Sequence, residues 1–170
     1  MSKMSLVKHN IEELDGLESL IPCLSVALYS KPLGVLTGAS IGQHIRHILE
    51  FYSCLKKGFK AGLVSYDDRE RNLLLETKPI IALHLIGDLK VFLSSINEDS
   101  SLTIKACYSE NASEFELIES SLYRELAYTL DHTVHHMAIV KIALSNEKII
   151  LGANIGVAAS TIRYRKECAQ

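Results

Sequence analysis

Long apolar runs are missing from this sequence. None approaches the roughly 18 residues needed to span a bilayer, so a transmembrane segment is not expected. A strong positive balance is missing too. With a net charge of −2, the chain lacks the charge that binders of nucleic acid or anionic membrane surfaces usually carry. Close cysteine pairs are absent: Cys23, Cys54, Cys107 and Cys168 are scattered and form no CxxC. None sits beside a histidine, so none stands out as a nucleophile. A chain of this size does not need disulfide staples, and reduced thiols in a cytoplasmic protein are the expectation. The stretch after Met1 carries His9, Glu12, Glu13 and Asp15, where a signal peptide would need an uninterrupted apolar core. Internal repeats, low-complexity segments, a phosphate-binding glycine loop, a dinucleotide fingerprint and an HExxH motif are likewise absent.

What is present suits one globular domain. The chain has 170 residues, 48% of them hydrophobic and 22% charged, enough to enclose a single core. Its periodicity is mainly helical. Val7, Ile11, Leu14, Leu17 and Leu20 recur at three- and four-residue spacing, which buries one helix face. Pro22 perturbs that helix or begins another, and Lys31-Pro32-Leu33-Gly34 is a break. Ser40-Ile41-Gly42-Gln43 has the form of a capping box, with a hydroxyl for the helix N-terminus and Gln three residues on. The second long helix therefore runs from Ile41 to about Lys57 and ends at Gly58 or Gly62.

A charged connection, residues 64–77, leads to a third helix that starts near Lys78-Pro79 and runs to about Ile96, with proline tolerated in its first turn. Leu102–Cys107 and Phe115–Ile118 bracket Glu110-Asn111-Ala112-Ser113 and read as a short β-hairpin. A fourth long helix covers about Ser121 to Ser145, with apolar stripes on two faces, as expected for a helix packed on two sides inside a bundle. The fold class expected is all-α, with that hairpin before the last long helix.

Five of the seven histidines fall in two clusters, His44/His47 and His132/His135/His136. His132 and His136 are four residues apart, so their rings leave one helix about 40° and one turn apart. Two nitrogens so placed can reach one ion at about 2.0–2.1 Å, with a third ligand from a neighbouring helix. His47 is the natural third, with His44, one turn earlier, the alternative. Several buried imidazoles without a shared partner would leave costly unsatisfied nitrogens, which favours a metal ion over plain core packing. His135 is placed to pack or to orient a ligand. Asp131 lies about 100° around the helix from His132 and is expected in solvent. Glu50, Glu125, Asp67 and Asp68 are the nearest acids in sequence, each more readily read as a surface charge or ion-pair partner than as a general base.

Gly38-Ala39-Ser40-Ile41-Gly42-Gln43-His44-Ile45-Arg46-His47-Ile48-Leu49-Glu50 and Asp131-His132-Thr133-Val134-His135-His136 resemble the two signature segments of DinB-like proteins, related to the YfiT group of metal-dependent hydrolases. Tyr66-Asp67-Asp68-Arg69 and Glu76-Thr77 are similar to a bacterial branch of that family. The resemblance covers about residues 6–146, leaving 147–170 as a tail expected to pack on that core. It implies an up-down-down-up four-helix bundle in a single domain, with one histidine ligand from the second helix and an HxxxH pair from the last. Those positions fall on His47, His132 and His136. Family members often continue with Arg-Gly-Gln; here Met137-Ala138-Ile139 follows, so any role of those polar residues does not carry over.

Three neutral imidazoles leave a fourth position for water or substrate, which can lower the pKa of a bound water toward about 7. Such a centre also accepts a thiolate. The resemblance thus implies a hydrolase or a transferase that uses a low-molecular-weight thiol, acting on a small molecule. Zinc or nickel heads the metals such a site takes, with iron and copper also accepted. The other reading is a non-catalytic protein in which a structural ion joins two helices. A fourth histidine closing the coordination favours that reading, whereas a pocket lined by Tyr66, Tyr128 and Arg69 favours an enzyme. A homodimer through an exposed helix face is compatible with either. Ile155–Tyr164 resembles the start of a recognition helix, but Gly152-Ala153-Asn154 interrupts the helix that should precede it.

Overall fold

The structure, a computed structural model, describes residues 4–110 and 114–169. The chain is mostly helical. Four long helices dominate: α1 (Met4–Leu20), α3 (Ile41–Ala61), α5 (Pro79–Ser95) and α6 (Leu122–Asn146). Three short ones join them: α2 (Val26–Ser30), α4 (Leu73–Thr77) and α7 (Ala159–Cys168). α1 packs on α5 and α6, and α3 packs on the same two helices from the other side. Leu14, Leu17, Ile45, Ile48, Leu49, Leu55, Ile86, Leu89, Leu126 and Val140 fill the space between them and are all but sealed from solvent. No single helix among the described residues is long and apolar enough to cross a membrane.

The expected helix boundaries recur where a cap defines them. Ser40 Oγ accepts the Gln43 backbone N–H at 3.1 Å and Gln43 Oε1 accepts the Ser40 N–H at 3.1 Å, closing the capping box at the start of α3. Gly62 ends the helix with φ 70°, a left-handed turn in which glycine carries no Cβ penalty. Pro79 opens α5, and the Ser121 hydroxyl caps α6.

Beside the helices lies a small three-stranded sheet in the order β1 (Leu63–Val64), β2 (Ser101–Ala106), β3 (Glu116–Ser121), one strand more than the expected hairpin. β2 and β3 form the expected hairpin, antiparallel with Ile104 opposite Ile118. Its turn at Asn111-Ala112-Ser113 lies outside the described residues. β3 extends three residues beyond the expected Ile118 and runs straight into α6. β1 pairs in parallel with β2, Val64 beside Ile104. Two residues are too few to show an alternating pattern, so this strand has no signature in the sequence.

The tail divides in two. Ile149, Leu151 and Ile155 pack against the core, and Lys141 Nζ donates to the carbonyls of Gly152 and Ala153. α7, in contrast, has no buried residue. Since α6 ends at Asn146 and α7 begins at Ala159, the pair lacks the three- to four-residue turn of a helix-turn-helix.

Candidate metal centre

α3 and α6 lie side by side, and the two histidine clusters meet between them. His132 Nε2 lies 2.9 Å from His47 Nε2, and the His136 ring centroid is 4.6 Å from both of theirs. His47, His132 and His136 each offer a nitrogen, and these atoms all lie within 4.8 Å of one another. A tetrahedral ion with bonds of about 2.0–2.1 Å holds its ligand nitrogens about 3.3 Å apart. The His47 and His132 nitrogens, 2.9 Å apart, are within a few tenths of an ångström of that spacing, and the other pairs, within 4.8 Å, reach it by ring movements of up to about 1.5 Å, so the donors suit a divalent ion.

His44 stands beside this group rather than in it. Its Nδ1 lies 2.9 Å from His136 Nδ1, so in a pair of neutral rings one donates and the other accepts. That contact occupies Nδ1 of His136 and leaves its Nε2 for another partner. His135 is exposed, with its ring edge-on to His136 at 5.5 Å. Asp131 is exposed, as its angular position implied.

The imidazoles are kept neutral by their surroundings. Burial, followed by the neighbouring histidines, pushes His136 down to about 3. His47 is pushed down to about 4 by burial, then by His132, Arg69, His44 and Arg46. His44 and His132 are lowered as well, again mainly by burial. Neutral imidazole is the form that donates a lone pair to a metal, so the cluster is ready for one at neutral pH.

An aromatic wall backs the cluster. Phe51, one turn after His47, stacks on His132 with centroids 4.1 Å apart and planes 19° apart. Tyr66 stacks on the far side of Phe51 at 4.8 Å, and Tyr128 lies 5.8 Å from His132. Beyond this wall opens a cavity of about 320 Å³, lined by Phe51, Tyr66, Arg69, Arg124, Glu125 and Tyr128 among others.

Glu125 is 1% exposed: of the two expected roles it has the ion pair, with Arg124, and not the surface position. Its carboxylate accepts from the Tyr66 hydroxyl at 2.8 Å, Ser120 Oγ at 2.5 Å and Arg124 at 3.0 Å. Burial and the Glu125 charge push the Tyr66 phenol up. Glu50 is also buried rather than on the surface. It accepts the Asn72 backbone N–H at 2.7 Å and pairs with Arg46 at 3.7 Å, tying the start of α4 to α3. Asp67 accepts the Cys107 backbone N–H at 2.9 Å, and Asp68 lies 3.8 Å from Lys105. Neither reaches the histidines by a hydrogen bond. Cys23, Cys54 and Cys168 keep free thiols.

No family model matches the chain, and no solved structure does. Among curated proteins, a segment is similar to FK506-binding protein 5 of Rhizopus delemar, 28% identical over 108 residues. That match covers 62% of this chain and 28% of the other protein. The likeness is too partial to define a family.

Proposed function

We propose that the protein is a cytoplasmic, metal-dependent enzyme of the DinB-like type, in which His47, His132 and His136 hold one divalent ion, zinc or nickel. The four long helices form an up-down-down-up bundle in this reading. The observation that carries it is the convergence of three nitrogen donors from two helices within 4.8 Å, beside a cavity whose walls include Tyr66, Arg69 and Tyr128.

When bound, the ion supplies Lewis acidity and a coordination position for water, a small thiol or substrate. The reaction classes that fit are hydrolysis and transfer to or from a low-molecular-weight thiol, with a small molecule as substrate. His44 fixes the His136 ring through the Nδ1 contact at 2.9 Å, as outer partners of metal-bound histidines commonly do. Phe51 holds the His132 ring by stacking and shields it from water on that face. Tyr66 and Ser120 hold the Glu125 carboxylate in place at the cavity wall.

His44 also supports a second reading, because a fourth imidazole in the first coordination sphere would close the site around a structural ion. Cobalt(II) substitution separates the two. In an enzyme with an open position, adding a small thiol such as 2-mercaptoethanol changes the visible cobalt bands and adds a thiolate-to-metal absorption. A four-histidine structural site leaves the spectrum unchanged.

A further inference from the structure

The cavity beyond the aromatic wall has a charge distribution that selects a ligand. Its lining holds three cations, Arg69, Lys105 and Arg124, and three carboxylates, Asp67, Glu119 and Glu125. These cancel formally, and the three imidazoles are neutral, so a divalent ion next to the cavity has no anion to balance it. Arg69 is placed to recruit one. Its guanidinium carbon sits 5.1 Å from the centre of the Phe51 ring, the ring that stacks on His132. It donates to the Tyr66 carbonyl, and among the described residues no carboxylate lies within ion-pair range of it. A guanidinium has five donors in a planar fork, so most of Arg69's remain for a ligand. Arg124 lies in the same lining, 5.3 Å from the Tyr128 ring centre, with one donor already given to Glu125.

We propose that this cavity is a substrate subsite for small molecules bearing a carboxylate, held by the Arg69 fork, with a flat or apolar body lying against Tyr66 and Tyr128. An arginine–carboxylate fork gives two parallel charge-assisted hydrogen bonds, and two clustered rings favour a planar body over a bulky one. The inference rests on the metal-enzyme reading only for what happens at the reacting end of the ligand. The recognition itself uses Arg69 and the rings.

The test is an NMR titration of the full chain, apo and zinc-loaded, with benzoate and its neutral analogue benzamide as probes. Benzoate is expected to bind at least tenfold more tightly than benzamide to both forms. Arg69→Gln is expected to remove most of that preference, and Arg69→Lys, which keeps the charge and loses the fork, to retain part of it. Equal affinity for the two probes overturns the proposal, even if zinc binds stoichiometrically. A benzoate preference that survives Arg69→Gln also overturns it, because the ion or another cation is then the anchor. If zinc does not bind, the metal-enzyme reading fails, and the apo titration still decides the subsite.

Discussion

His47 Nε2 and His132 Nε2 face each other at 2.9 Å, although 85 residues separate them in the chain. Two features bring them there. The capping box fixes where α3 starts, setting the rotation of His44 and His47 about its axis. Buried Thr129, Thr133 and Met137 turn the adjacent face of α6, about 80° around the helix, into the core, leaving His132 and His136 at the seam with α3.

His44 and His47 are expected to separate cleanly by mutation. His47→Ala removes one of the three proposed ligand atoms and should abolish stoichiometric zinc binding. His44→Ala removes the partner of His136 Nδ1, and loss of such an outer contact weakens metal affinity about 10- to 100-fold. Competition with a chromophoric chelator measures both. If His44→Ala loses zinc entirely while His47→Ala keeps it, the assignment of the two is reversed.

Acid should destabilise the metal-free protein. His47 and His136 titrate at about 4 and about 3 when folded, against 6.5 as the ordinary value. Between those limits the unfolded chain binds more protons than the folded one, so stability rises with pH across the window. The melting temperature should be nearly level above pH 7 and fall progressively from about pH 6.5 towards pH 4. A His47→Gln/His136→Gln variant should show a shallower fall. A melting temperature that climbs on acidification contradicts this assignment.

Gly42 has no room for a side chain. A Cβ there would strike the Glu76 carbonyl and come within 2.6 Å of the Tyr29 ring. Tyr29 in turn donates from its hydroxyl to the Leu75 carbonyl at 2.6 Å, securing α4. Gly42→Ala should therefore cost about 1–3 kcal/mol by overpacking, read as a lower midpoint in urea. An unchanged midpoint would show that α4 moves aside freely.

Tyr52 anchors a polar contact inside the core. Its hydroxyl donates to Asn10 Oδ1 at 2.9 Å, and both side chains are sealed from solvent. Tyr52→Phe leaves the Asn10 oxygen without that donor and should cost about 1–3 kcal/mol. Adding Asn10→Leu should recover part of the loss, because replacing both partners by apolar groups is far less costly than orphaning one. Chemical denaturation of the single and double variants gives the comparison.

Those buried polar groups mark the limit of what the sequence discloses. The long helices are legible because their apolar spacing and their caps agree: Ser40 with Gln43, Pro79, and Gly62 each fix an end. The histidine trio is legible because an i, i+4 pair must share a helix face. Asn10, Glu50 and Glu125 are polar by composition, yet they are buried and bonded to Tyr52, Asn72 and Tyr66 from other elements. Only tertiary packing supplies those partners. α4 is five residues long and α2 the same, less than two helical turns, so neither offers a period to read. In α5, Ile80 fits the apolar pattern but is 55% exposed, whereas Ala82 is buried in its place.

The most direct test is elemental analysis of the untagged protein beside a His132→Ala/His136→Ala variant, each purified and then incubated with zinc or nickel and desalted. About one equivalent of metal is expected in the wild type and none in the variant. Absence of stoichiometric metal in the wild type, or equal metal in both, contradicts the proposed metal centre and leaves the histidines as hydrogen-bonded core residues.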